Sequence, residues 1–266
     1  MKNYISLLYI SLCSSTLLIS GCDDKKTTNT NSTHIAVTNS YLFHTEPELL
    51  PVHKLFKQQK IQGPSHKLIN YNYQGYVTNY NLEGLYGEIN YDEAKYIYGM
   101  EGTRDEYEIT FDNTKNILGM KNSNGDIVAF SEFDGQGHLV ETTLSHFAEN
   151  NIIFNSKIIY EEDRVEKVLY NAYIPVDEKT KFPVLVQEKD IIYNDSKQLE
   201  KTITKSFKLS SNGDIIINDK NEQEVEMTET CTYSNYNENR DWTKAICITT
   251  GNESKTVTLI RTIEYQ

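Results

Sequence analysis

This sequence is poor in cysteine, tryptophan, proline and apolar residues. It has four cysteines, one tryptophan and five prolines in 266 residues, and only 38% of its residues are hydrophobic, with a mean hydropathy of −0.56. A chain of this length forms one large all-β domain or two small ones. With so little apolar surface, a thick two-layer core is not assured.

Positive charge is also scarce. The chain has 26 lysine and arginine residues against 38 aspartate and glutamate residues, which gives a formal net charge of −12. Binding to a nucleic-acid backbone needs a concentrated positive surface, so we expect no nucleic-acid partner. The same balance disfavours electrostatic adhesion to anionic lipid, and any membrane contact must have another source.

Common catalytic motifs are missing from the sequence. It has no Gly-x-Ser-x-Gly nucleophile elbow, no phosphate-binding Gly-x-x-x-x-Gly-Lys-Ser/Thr loop and no His-Glu-x-x-His zinc motif. Ser145 and His146 are neighbours, but adjacent strand residues point to opposite faces. The acidic stretches 160–164 and 217–226 lack the spacing of a calcium loop, and we interpret them as solvated turns and a charged strand face. We therefore assign no catalytic residue, no metal ligand and no cofactor; carboxylates that only the fold brings together stay possible.

The amino terminus has a distinct pattern. Lys2 precedes a mostly apolar run from Tyr4 to Ile19, which ends in Ile19-Ser20-Gly21-Cys22. The run has the length of a signal-peptide core and is short for a membrane span. The ending resembles the lipobox of bacterial lipoproteins. This resemblance implies that residues 1–21 are a signal peptide, that Cys22 is lipidated, and that attached acyl chains hold the protein to a membrane.

Two acids follow the lipobox. In enteric-type Gram-negative bacteria, aspartate directly after the lipidated cysteine favours retention in the inner membrane, so the resemblance gives Asp23 and Asp24 a sorting role. We expect a periplasm-facing protein, anchored in the inner membrane rather than the outer one. Residues up to about 40 are rich in Thr, Asn, Ser and Lys, so we expect 22–44 to be the lipidated cysteine and a flexible tether. The β-rich periplasmic domain would then span 45–266.

Two cysteines remain in the predicted mature domain, Cys231 and Cys247. An exported chain is in an oxidising compartment, so an even number suggests a disulfide. If Tyr236 and Trp242 face each other across the turn at 237–241, antiparallel register also places Cys231 opposite Cys247. Two free buried thiols, or a metal held by the pair, are the alternatives.

The pattern after the tether favours strands. Pro51 suits a first helical turn, and Val52, Leu55 and Phe56 would share one helical face, so we expect one or two helical turns within 45–60; long helical periodicity is absent beyond. From about residue 67 the apolar residues alternate with polar ones, as in Val225, Met227, Cys231 and Tyr233. Asn- and Gly-rich turns punctuate this region. We expect an all-β antiparallel meander of about a dozen strands, in a curved or partly closed sheet, after a short N-terminal helix.

One element recurs with uneven spacing: an aromatic residue, a short polar turn and an apolar strand start. The aromatic positions are Phe111, Phe133, Tyr160, Tyr193 and Tyr236. In form this resembles the tyrosine-aspartate (YD, or Rhs-type) repeats of bacterial surface and toxin-shell proteins, over residues 107 to 266. Four of the five turns lack glycine, and three lack the aspartate. The resemblance implies β-hairpin architecture and does not extend to enclosing a toxin.

Tyrosine is the abundant aromatic, with eight copies between residues 70 and 99. These tyrosines form an aromatic binding face, or they simply suit a pleated, half-exposed sheet. Our first functional hypothesis is a non-enzymatic envelope lipoprotein that binds a protein partner or serves as a scaffold. The alternatives are an immunity lipoprotein that neutralises a periplasm-acting toxin, and an enzyme that acts on envelope glycan or lipid.

Overall fold

The computed structural model describes residues 38–51, 53–100, 103–113, 115–145, 152–177, 180–251 and 254–266. In these ranges the chain forms a short helical turn at 38–42, a 3-10 helix at Pro47–Leu49 and sixteen β-strands. The strands are β1 Phe56–Gln62, β2 His66–Tyr71, β3 Val77–Leu82, β4 Leu85–Asn90, β5 Lys95–Gly99, β6 Asp105–Phe111, β7 Ile117–Lys121, β8 Ile127–Phe133, β9 Leu139–Leu144, β10 Ile153–Glu161, β11 Arg164–Pro175, β12 Lys181–Tyr193, β13 Leu199–Phe207, β14 Val225–Ser234, β15 Lys244–Thr250 and β16 Lys255–Tyr265.

The strands form one closed antiparallel barrel. Each strand pairs with the next in sequence, and β1 pairs with β16 through Ile61 opposite Arg261. The expected all-β antiparallel fold is confirmed. The sequence left open whether the sheet closes, and closure removes the unpaired strand edges that an open meander would expose.

Alternating residues fill the barrel. On β6, Tyr107 and Ile109 are buried inside while Glu106 and Glu108 are exposed outside. The eight tyrosines between 70 and 99 divide in the same way: Tyr71, Tyr80 and Tyr96 are in the core, whereas Tyr73 is 82% exposed. The buried apolar residues thus form one interior cluster, while the outer surface also carries exposed apolar side chains, such as those of Phe130, Ile246 and Ile248.

One end of the barrel carries the recurring turns found in the sequence. We call it the entry end, because β1 begins there and β16 ends there. The turns after Phe111, Phe133, Tyr160, Tyr193 and Tyr236 all lie at this end, since each connects a strand running toward it to one running away.

Most of these turns share one geometry, shown by residues 194–198. The Asn194 backbone amide donates to the Gln198 carbonyl at 2.9 Å, and the Asn194 side-chain oxygen accepts the amides of Ser196 and Gln198 at 3.0 Å. The fourth residue, Lys197, has φ of +61°. Lys115 and Arg240 take the same left-handed position, with φ of +70° and +67°. The three Asx turns that lack glycine therefore keep the conformation, because the Asx side chain accepts backbone amides within the turn.

Residues 38–50 lie across the barrel interior at the entry end. The Asn39 side chain donates to the Gly75 carbonyl at 2.8 Å on one side of the barrel. On the other side, Lys189 of β12 donates to the Thr45 carbonyl at 2.9 Å and to the Glu48 carboxylate at 2.5 Å. This N-terminal segment therefore closes much of the lumen.

This placement changes two sequence-based expectations. Residues 38–44, which we assigned to the tether, include buried Thr38, Tyr41 and Phe43; the rest of the predicted tether lies outside the described residues. The helical turns are at 38–42 and 47–49 instead of around Pro51, and Phe56 already begins β1. Pairing of β1 with both β2 and β16 outweighs the helical spacing of the apolar residues at positions 52, 55 and 56.

The predicted disulfide is present. Cys231 and Cys247 are bonded, with their Cα atoms 3.9 Å apart. They are directly opposite each other on β14 and β15, as the register from Tyr236 and Trp242 predicts.

Candidate functional site

A cavity of about 560 Å³ opens at the entry end, between the N-terminal segment and the turns of β8 to β15. This volume is within the range of small-molecule sites, roughly 300 to 1,000 Å³. Its floor contains Trp242 and Arg261, and its rim contains residues from four successive turns, including Gln136 and Asp163.

Three tyrosines of the recurring element form its aromatic wall. The hydroxyl of Tyr160 donates to the carbonyl of Leu139 at 3.1 Å, and that of Tyr193 donates to the carbonyl of Val165 at 3.1 Å. The Tyr236 hydroxyl donates likewise to the Leu199 carbonyl. Each tyrosine thus bonds to the strand start of the preceding hairpin. We call this series the tyrosine ladder.

Burial keeps the ladder phenols protonated. It raises the pKa of Tyr193 to about 12, against a partly opposing effect of the Arg164 charge. Burial also raises the pKa of Tyr160 and of Tyr236. At neutral pH the three hydroxyls are hydrogen-bond donors to the backbone, and the ring faces are left to line the cavity.

Positive charge is concentrated in this cavity although the chain is acidic. Five lysine or arginine side chains line it, against three carboxylates. The five are Lys54, Arg164, Lys197, Arg240 and Arg261; the three are Glu48, Asp163 and Asp241. The lining is therefore cationic, whereas the whole chain has a formal net charge of −12.

Each of the three carboxylates has a cationic or titratable neighbour in the protein. Glu48 pairs with Lys189 at 2.5 Å, and Asp163 lies 3.5 Å from the His138 ring. Asp241 accepts a hydrogen bond from the Tyr265 hydroxyl at 2.9 Å and acts electrostatically on Arg261. Two of the three acids, Glu48 and Asp241, thus act on cations of their own, Lys189 and Arg261.

Arg261 fixes the floor of the cavity. It is 2% exposed, and it donates to the Gln59 side-chain oxygen at 2.9 Å and to the Leu49 carbonyl at 3.1 Å. Its guanidinium lies 4.7 Å from the Trp242 ring centroid. Burial lowers its pKa, and the charge of Asp241 opposes that shift. The N-terminal segment and β16 are joined here by one buried cation.

The rim cations are held by weaker contacts. One carboxylate oxygen of Glu162 lies 3.8 Å from Arg164 and 3.6 Å from Lys197. The Glu162 side chain is 70% exposed, as is most of Lys197, so solvent screens this contact. Arg240 donates to the Ser196 carbonyl, and Lys54 lies over the Tyr265 ring.

Neither of the described site residues predicted from sequence, Cys231 and Cys247, lines the cavity. Cys22, Asp23 and Asp24 are outside the described residues, as is His146 beside Ser145. Cys231 and Cys247 form the disulfide in the barrel wall. No cluster of three or more His, Cys, Asp or Glu residues suited to a metal ion occurs in the described part of the chain.

None of the helical residues described belongs to a helix with the length and hydropathy needed to cross a membrane.

Sequence reasoning missed the cavity. Stretch 160–164 appeared only as an acidic turn, yet Arg164 follows its acids and lines the cavity. The available signal was topological: recurring turns separated by two strands lie at the same end of an antiparallel sheet. That signal identifies the end of the sheet at which the turns lie, but it does not reveal the cavity. Only closure of the barrel brings those turns around a common space.

No protein-family model and no curated protein sequence matches this chain. Among solved structures, it is similar to a Tc holotoxin pore of Photorhabdus luminescens, at 13% identity and a TM-score of 0.37, over 72% of this chain and 9% of that one. It is also similar to porin-like proteins of Bacteroides uniformis, at 12% identity and a TM-score of 0.36 over 81% and 100% of the two chains, and of Bacteroides vulgatus, at 7% and 0.34 over 80% and 99%. The chain thus spans about a tenth of the toxin chain and nearly all of each porin-like chain.

Proposed function

We propose that this chain is a non-enzymatic binding protein of the bacterial cell envelope, held to the membrane through Cys22, which engages its partner at the entry end of the barrel. The observation that carries the proposal is the cavity at that end, with its cationic lining in an acidic chain. Aromatic walls with a few converging polar groups are the usual composition of a binding site.

The path of the N-terminal segment also favours the entry end as the binding end. The Thr38 hydroxyl donates to the carbonyl of Lys115, in a turn of the entry end, at 2.8 Å. Fifteen residues separate Cys22 from Thr38, and they span at most about 50 Å when fully extended. An anchor at Cys22 would therefore keep the cavity close to the membrane surface.

The contacts of the cavity residues favour binding over catalysis. The ladder hydroxyls already donate to backbone carbonyls, and burial raises their pKa, which makes them poor bases or nucleophiles. The interior carboxylate of Glu48 is paired with Lys189. Such groups shape and orient a bound molecule.

Site-specific photo-crosslinking in the native envelope tests the proposal. A photoreactive phenylalanine at Gln136 lies on the cavity rim, and the same residue at Asn124 occupies the corresponding turn position at the other end of the barrel. We expect a discrete adduct from position 136 alone, lost when Cys22→Ala releases the protein into the soluble fraction. Equal adducts from both positions, or none from either, would overturn the proposal. A toxin in the adduct would identify the immunity form of this function.

A further inference from the structure

We infer that the entry-end cavity binds a small ring-bearing anion, with its phosphate or carboxylate group on Arg164 and Lys197 and its ring against the tyrosine ladder. This inference rests on the proposed binding function and names the class of ligand.

The first argument is the arrangement of the two cations. Because one oxygen of Glu162 lies within 3.8 Å of both Arg164 and Lys197, the two charges converge on a single anionic group. The Glu162 side chain is 70% exposed and belongs to the two-residue turn between β10 and β11. An incoming phosphate or carboxylate can displace this exposed acid at little cost.

The second argument is the ring-binding wall next to these cations. Arg164 lies 4.9 Å from the Tyr193 ring centroid, so its charge and the aromatic face are adjacent. His138 stacks on Tyr160 with ring centroids 4.6 Å apart and planes at 15°. Flat faces beside a charge suit a ligand that combines a ring with an anion.

The third argument is a hydrogen-bond acceptor at the other side of the cavity. The Glu48 side chain is 11% exposed and lines the cavity. Its Oε1 binds Lys189, whereas its Oε2 is buried with no hydrogen-bond partner. A buried acceptor without a donor costs free energy, and a side-chain movement that opens Oε2 to the cavity would let a ligand hydroxyl or amine satisfy it. The probes therefore carry donor groups as well as an anion, as phosphorylated and carboxylated sugars do.

Isothermal titration with defined probes tests the inference. The probes are glucose 6-phosphate and glucuronate as ring-bearing anions, inorganic phosphate as an anion without a ring, and glucose as a ring without charge. We expect at least one ring-bearing anion to bind more tightly than both phosphate and glucose, with affinity falling as salt rises. Binding of glucose equal to that of the anions, or no binding by either anion, would overturn the inference.

Two variants give effects of opposite sign. In Arg164→Gln/Lys197→Gln we expect affinity to fall at least about tenfold, since hydrogen bonds to charged groups contribute more than neutral ones. In Glu162→Gln we expect affinity to rise roughly two- to fivefold, because the competing carboxylate charge is removed. Loss of affinity in Glu162→Gln, or no change in the double variant, contradicts the assigned anion position.

The matched control is Arg104→Gln/Lys121→Gln, which removes one arginine and one lysine at exposed positions near the other end of the barrel. It has the same net charge as the Arg164/Lys197 variant, so equal loss in both would mean a general charge effect and would overturn the inference. Circular dichroism and thermal midpoints verify that each variant folds. If the photo-crosslink at position 136 persists while no ring-bearing anion binds, the proposed function stands and the ligand class fails.

Discussion

The hydroxyl of Tyr193 donates a hydrogen bond to the backbone carbonyl of Val165, 3.1 Å away in the preceding hairpin. The same bond joins Tyr160 to Leu139, so consecutive hairpins are linked by the aromatic residue that opens each turn. The recurring aromatic of the sequence is thus both a structural link and a wall of the cavity.

Removing this hydroxyl should destabilise the barrel. In Tyr193→Phe the buried carbonyl of Val165 loses its donor, and we expect the free energy of unfolding to fall by about 1 to 2 kcal/mol. Urea denaturation measures the change. Tyr73→Phe is the control, because Tyr73 is 82% exposed and its loss should be neutral. Equal stability of the two variants would show that the ladder bond is not stabilising.

Ala94 has a left-handed backbone conformation, so replacing it with glycine should stabilise the fold. Ala94, in the turn between β4 and β5, has φ of +54°, where a Cβ atom is strained. We expect Ala94→Gly to stabilise the fold by up to about 1 kcal/mol, after the entropy cost of glycine is included. The same substitution at the fully buried Ala129 should destabilise, and thermal midpoints compare the two. A loss of stability at both positions would refute the strain at Ala94.

The buried Arg261 should be far more sensitive than a surface arginine. Arg261→Met removes the cation that acts on Asp241 and that binds the Leu49 carbonyl, so we expect a loss of about 3 to 5 kcal/mol. Arg104→Met, at an exposed position, should stay within about 0.5 kcal/mol of the parent. A small effect at Arg261 in denaturant unfolding would mean that it does not hold the N-terminal segment.

The disulfide closes a loop with a sequence separation of 16 residues. Loop-closure entropy predicts that Cys231→Ala/Cys247→Ala lowers the free energy of unfolding by about 3 kcal/mol. A reducing agent should lower the stability of the parent chain and leave the double variant unchanged. Intact mass under non-reducing conditions should be two hydrogens below the reduced mass, and identical masses would contradict the bond.

The buried tyrosines make stability depend on alkaline pH. Burial raises the pKa of Tyr170 and of Tyr193 to about 12, above the value of 10.0 for an exposed phenol. Because the folded chain holds these protons more tightly, stability is complete below about pH 10 and falls as pH rises toward 12. Phenolate absorbance should show these groups ionising later in the native than in the denatured chain. Coincident titration curves would contradict the burial.

Several parts of the structure were readable in the sequence because they depend on local chemistry. Period-two alternation predicted about a dozen strands where the described residues form sixteen, and the Asx turns kept their geometry even where Lys115, Lys197 and Arg240 replace glycine. The pairing of Cys231 with Cys247 followed from register, since a tight turn determines which residues face each other. The strand β1 was missed because its apolar spacing is also helical, and pairing on both sides decided between them.

By itself, the sequence determined an antiparallel all-β chain, its turn positions and its disulfide, all of which depend on residues close in sequence or in register. The tertiary structure decided that β1 meets β16, that residues 38–50 enter the lumen, and that Arg164 and Lys197 face one cavity with Tyr193. Those relationships join residues far apart in sequence, as Arg261 and Leu49 show. They exist only because the closed sheet buries its apolar face inward and brings distant turns around one space.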